Sequence, residues 1–149
     1  MKNKKRLFGI VLLAALVIMQ FFSIDKTNPT VDPSKEFMTL VDTPAPFAKM
    51  LKNACYDCHS YETKYPSYTS VAPLSFWIRG HINNGREKLN LSVWSEYPEE
   101  DKKHLLYEMA EEIEEKHMPF KSYVWMHPEA KFTDEERSSI VTWLKKMGS

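Results

Sequence analysis

The chain has 149 residues and equal numbers of basic and acidic side chains, 20 of each, for a formal net charge of zero. That length holds one domain plus a terminal segment, and 43% hydrophobic and 13% aromatic residues are enough for a core. No basic patch or stripe runs along it, which argues against nucleic acid as a partner.

Lys2, Lys4, Lys5 and Arg6 precede an apolar run from Leu7 to Phe22. This pattern predicts a membrane-targeting segment whose basic end stays on the cytoplasmic side while the remainder is exported. The exit, Gln20-Phe21-Phe22-Ser23, is bulky where a signal peptidase needs small residues, so the expectation is an uncleaved single-pass transmembrane anchor over residues 1–24. Four of the 20 basic residues lie before the apolar run and none of the acidic ones do. The exported part keeps 16 basic against 20 acidic residues, a net charge of −4, which suits a partner with a basic docking face. Pro29, Pro33, Pro44 and Pro46 punctuate a polar stretch without sustained period, so residues 25–43 read as a tether.

The domain is then expected over residues 44–149. Pro44 and Pro46 suit the first turn of a helix, and Phe47, Met50, Leu51 and Ala54 recur at helical spacing. That helix runs into Cys55-Tyr56-Asp57-Cys58-His59. A loop rich in Tyr, Ser and Pro follows over residues 61–73. A second helix is predicted from Leu74 to Ile82, with Asn83-Asn84-Gly85 as its stop signal. A third spans Pro98 to His117, with Leu105, Met109 and Ile113 as its apolar stripe and a solvated Glu/Lys surface. The last begins at the capping box Thr133-Asp134-Glu135-Glu136, buries Ile140, Val141, Leu144 and Met147, and stops at Gly148. No strand pattern is present, and the fold class is all-α.

Both cysteines of the chain fall in one pentapeptide that reads C-x-x-C-H, the attachment signature of a c-type haem. Cys55 and Cys58 would each form a thioether, and His59 would reach the iron. A thioredoxin-like dithiol would follow a strand, whereas the approach here is helical. A structural zinc site would need a second ligand pair, and the remaining histidines are widely spread.

With these elements in place, the chain resembles small monohaem c-type cytochromes. A helix leads into C-x-x-C-H, Met118-Pro119-Phe120 comes later, and a capped helix through Val141-Thr142-Trp143-Leu144 closes the domain. More narrowly it resembles the haem-binding domain family of Bacteroidetes-type bacteria. The matching stretches are Asn53 to Ser60, Tyr65-Pro66, Val71-Ala72-Pro73, Gly80-His81-Ile82, Gly85-Arg86, Leu89-Asn90-Leu91-Ser92 with Trp94, and Met118-Pro119 through His127-Pro128-Glu129-Ala130. The resemblance implies a helical domain around one covalent haem c, and electron transfer by Fe(III)/Fe(II) cycling rather than catalysis.

It also implies ligands. His59 is the proximal one, with the Pro73 carbonyl holding its other ring nitrogen as a proline carbonyl does in cytochromes c. Met118, in its Met-Pro context, is the expected distal ligand, with His81 and Met126 as alternatives and His117 or His127 behind them. Arg79 and Arg86 match the geometry of the haem propionates. Trp77, Trp94, Tyr65 and Tyr68 offer single hydrogen bonds there or plain packing. The expected partner is a redox protein or a membrane respiratory complex, met on the periplasmic, extracytoplasmic face of the cell membrane. The alternatives are a haem-based sensor, an accessory subunit of a larger complex, or a peroxidase-like enzyme with an open distal site.

Overall fold

A computed structural model describes residues 2–149. Among them there are eight α-helices and four short 3-10 turns, and no strand. The α-helices are α1 (Lys2–Met19), α2 (Phe37–Leu40), α3 (Ala45–Ala54), α4 (Tyr56–His59), α5 (Leu74–Lys88), α6 (Glu99–Glu114), α7 (Lys121–Met126) and α8 (Asp134–Gly148).

The largest packing interface joins α6 and α8. Leu106, Met109, Ala110 and Ile113 sit at i, i+3, i+4 and i+7, so they fall on one face of α6 and bury against Ile140, Val141 and Leu144 of α8. Leu105, expected in that stripe, is only half-buried; the neighbouring Leu106 holds the position. The capping box at Thr133 forms as expected: Thr133 Oγ1 accepts from the Glu136 amide (3.1 Å), and Glu136 accepts from the Thr133 amide (2.8 Å). Helix α6 ends through Lys116, which lies in the left-handed region at φ 63°. A side chain there crowds its own backbone, so Lys116→Gly is expected to raise stability by about 0.5–1 kcal/mol, seen as a higher urea midpoint. The exposed ion pair from Lys116 to Asp134 that this removes contributes little.

The expected boundary at residue 44 is too late. Phe37 is fully buried and meets Trp94 edge-to-face with ring centroids 4.9 Å apart. Burial of one such side chain is worth about 2–3 kcal/mol. Glu36, also buried, accepts a hydrogen bond from the Tyr56 hydroxyl. Residues 25–43 are therefore not a free tether. Asn28 Nδ2 donates to the Thr63 carbonyl (2.8 Å), Lys35 pairs with Glu96 (2.6 Å), and the segment is fastened to the domain along its length. Proline content, which suggested a linker, here shapes an ordered strap whose anchors are scattered single residues.

The spanning anchor is corrected as well. No helix among the described residues is long and apolar enough to cross a membrane. Helix α1 begins with four cations, and its apolar part, Leu7 to Met19, extends about 20 Å at the ordinary rise, against a hydrocarbon core of about 30 Å. The chain turns at Gln20, whose side chain pairs with both backbone groups of Ala72.

Candidate functional site

Helix α3 ends at Cys55, and the chain restarts at once as the single turn α4 carrying Tyr56, Asp57, Cys58 and His59. The two interior residues of the motif hold it in place from opposite sides. Tyr56 donates to Glu36 of the N-terminal strap; burial and that carboxylate push its phenol well up, so it stays a donor. Buried Asp57 accepts from the Lys64 amide (2.9 Å) and from the Tyr123 hydroxyl of α7 (2.9 Å). Ser60 and Thr63 hydroxyls bond the carbonyls of Tyr56 (2.7 Å) and Asp57 (2.6 Å).

Helix α5 lies directly on this turn. A Cβ at Gly85 would stand 2.7 Å from the Cys58 carbonyl oxygen, so only glycine permits the approach. The Asn-Asn-Gly sequence thus does not stop α5 near Ile82, as expected from its composition. The helix continues to Lys88, and Gly85 is a contact rather than a terminator. Its C-cap, Leu89, presents its carbonyl 3.1 Å from His59 Nδ1. Pro73 does not fill that role: it caps the start of α5, and its carbonyl accepts from the amides of Phe76 (3.1 Å) and Trp77 (3.3 Å).

With Nδ1 engaged at a carbonyl, His59 carries its proton there, and Nε2 forms no hydrogen bond among the described residues. Burial holds the imidazole below its usual range, so it is neutral and its Nε2 lone pair is available at neutral pH. The thiols are free. Burial pushes Cys55 up to about 12 and Cys58 up to about 11, so both are protonated at neutral pH. That is the opposite of the low thiol pKa of a redox dithiol. No group of three His, Cys, Asp or Glu among the described residues is placed to hold a metal ion.

Beside the motif opens a narrow cleft of about 90 Å³, below the usual range for ligand sites. Asp57 and Cys58 form one wall. Leu74, Trp77, Ile78, His81 and Ile82 of α5 form the second, and Phe120, Ser122, Tyr123, Met126 and His127 the third. Thr63, Lys64, Tyr68 and Thr69 line the remaining side. The lining is mostly apolar, with a few polar groups at fixed points, so its chemistry suits an apolar cofactor, and seating a large planar one requires the walls to part.

Of the expected site residues, Cys58, Tyr68, Trp77, His81, Met126 and His127 line this cleft, and Cys55 and His59 flank it on the same turn. Met118 does not line it. Its amide is tied to the Glu112 carbonyl (3.0 Å) at the end of α6, and Phe120, two residues on, faces the cleft instead. Arg79 and Arg86 are also elsewhere. Arg79 donates to the Asp25 carbonyl (2.8 Å) and the Tyr65 hydroxyl (3.2 Å), and Arg86 to the Ser60 carbonyl (2.8 Å), Asn28 (3.0 Å) and Thr63 (3.0 Å). They fasten the N-terminal strap to the motif. Trp94 is core packing against Phe37. Tyr68 bonds His127 Nε2 (2.5 Å), and Tyr123 stacks on the same ring at 4.3 Å. Sequence reasoning missed Lys64, Tyr123 and Phe120. The one available signal was Lys64, a lone cation six residues past the second cysteine.

The pattern of haem-binding domains matches residues 14–146. The chain belongs to the haem-binding domain family. The match includes the end of α1 and the whole strap, in keeping with their attachment to the core. No curated protein and no solved structure matches the chain. For a member of this family, haem is the cofactor to test against the cleft. The donor set fits it: two unpaired thiols three residues apart, a neutral histidine fixed through Nδ1, and an apolar cleft beside them.

Proposed function

We propose that this haem-binding domain is a monohaem c-type electron carrier, exported and held at a membrane by α1. The observation that carries the reading is the C-x-x-C-H turn with both thiols free and His59 Nδ1 tied to the Leu89 carbonyl, which leaves Nε2 for iron. When bound, haem supplies one reversible Fe(III)/Fe(II) electron. Cys55 and Cys58 supply the thioether sulfurs and His59 the proximal nitrogen. Leu89 fixes the ring's orientation and basicity. Lys64, the cation that lines the cleft, takes the propionate role expected of the two arginines.

His81 would supply a second nitrogen to the iron. The chain has five histidines. His59 is held by Leu89, His104 and His117 face glutamates, and His127 is engaged by Tyr68 and Glu129. His81 alone forms no hydrogen bond or ion pair among the described residues. Its ring packs against Trp77 (4.3 Å) and Phe120 (5.1 Å) in the apolar cleft. Net negative charge on the exported part favours a redox partner with a basic face.

The test is the full chain expressed with a haem-attachment system, then denatured mass and a pyridine haemochrome. A mass one haem heavier, with a c-type spectrum and no peroxide turnover, is the expected result. An apo mass would sink covalent attachment, and rapid peroxide turnover would replace the carrier with an enzyme.

A further inference from the structure

Helix α1 and the domain meet at one point. Gln20 Nε2 donates to the Ala72 carbonyl (2.9 Å) and its Oε1 accepts from the Ala72 amide (3.1 Å). Two further bonds brace the junction: Lys26 to Ser70 (2.6 Å) and Arg79 to the Asp25 carbonyl (2.8 Å). The end of α1 is thus fixed against the start of α5.

The start of α5 is unusual for a globular surface. Val71 is 53% exposed, Leu74 and Phe76 are each 40% exposed, and Trp77 is 52% exposed, with Ala72 and Ser75 buried between them. Leu74 and Trp77 are exposed at the mouth of the cleft, and Val71 and Phe76 are exposed outside it. Phe21 and Phe22, also exposed, adjoin it through the Gln20 clamp. Helix α1 shows the same feature. Leu7, Phe8, Val11, Leu12, Leu13, Val17 and Ile18 are all more than half exposed, with no polar face among them, which water does not tolerate but lipid does.

We propose that the tip of α5 rests in the same lipid surface as α1, so that the cleft mouth, which Leu74 and Trp77 also line, opens at the bilayer rather than toward bulk water. This rests on the reading that α1 attaches the chain to a membrane. A helix too short to cross the hydrocarbon core keeps its ends, and the residues fixed to them, at the lipid surface. The clamp at Gln20 leaves no slack for the domain to stand away. Trp77 then occupies the headgroup depth that tryptophan favours.

The test uses the full haem-loaded chain in vesicles of phosphatidylcholine and phosphatidylglycerol carrying a tail-linked diazirine. After irradiation and digestion, lipid adducts are expected on the peptide holding Val71 to Trp77 and on that holding Leu7 to Phe22, with none on α6. Adducts on the α1 peptide alone overturn the proposal and leave membrane attachment standing; this includes a tip covered by a second copy of the chain. Adducts on neither overturn both. Val71→Asp with Phe76→Asp, neither of which lines the cleft, is expected to weaken vesicle binding about tenfold with an unchanged visible spectrum. Unchanged binding would also overturn it.

Discussion

Gly85→Ala is expected to destabilise the domain by about 2 kcal/mol, lowering Tm by about 8 °C, although alanine is the better helix former. Propensity alone favours the substitution by about 1 kcal/mol in a helix interior. Against it stands the new methyl group, 2.7 Å from the Cys58 carbonyl oxygen and 3.3 Å from the Cys58 Cβ. The nearest of these atoms is backbone, so no flexible side chain can swing aside. Either α5 or α4 must shift, and both carry the site: Cys58 and His59 on one, the Leu89 carbonyl and His81 at or near the other. The same substitution should therefore broaden or shift the visible bands of the haem-loaded chain. Gly80→Ala is the control, since nothing lies within 4 Å of a Cβ there, and it should be neutral or mildly stabilising. Equal Tm values for the two variants would remove the close contact between α4 and α5 from the account.

Gly85 also shows where sequence reading stops. As part of Asn83-Asn84-Gly85 it has the composition of a helix end, and local rules say so. Its actual role depends on a residue 27 positions earlier in the chain, and no local pattern encodes that. Arg79 and Arg86 teach the same lesson. Their type suits propionates, but the partners they find are the Asp25 carbonyl and Asn28 amide oxygen of the strap, the Ser60 carbonyl, and the Thr63 and Tyr65 hydroxyls, none of which follows a period that can be read. What was legible is what repeats or caps: the pentapeptide at Cys55, the stripe of α6, the capping box at Thr133 and the inner face of α8. The six-residue α7 was not, being too short for helical periodicity and held by Tyr123 to Asp57 and Asn53. The distal ligand falls between these cases. The Met-Pro dipeptide is visible in the sequence, but which residue faces the cleft is decided by the turn after α6.

His81→Ala is expected to abolish the low-spin visible spectrum of the haem-loaded chain, while Met118→Ala and Met126→Ala leave it unchanged. Leu74, Trp77, Ile78 and His81 stand at i, i+3, i+4 and i+7 of α5, so they share the face that lines the cleft. On that face His81 is the one nitrogen donor, and its polar atoms find no partner among the described residues. Two histidine ligands also predict a lower midpoint potential than histidine with methionine, and no thioether-to-iron charge-transfer band in the ferric spectrum. A charge-transfer band that vanishes in Met118→Ala would mean that the turn at residues 115–120 rearranges around the cofactor and carries Met118 across to the iron. Loss of the band in Met126→Ala would place the ligand on α7, beside the stacked pair Tyr123 and His127. The three variants therefore separate the two side chains already in the cleft, His81 and Met126, from Met118, which must move there, and only Met118 requires a change in the path of the backbone.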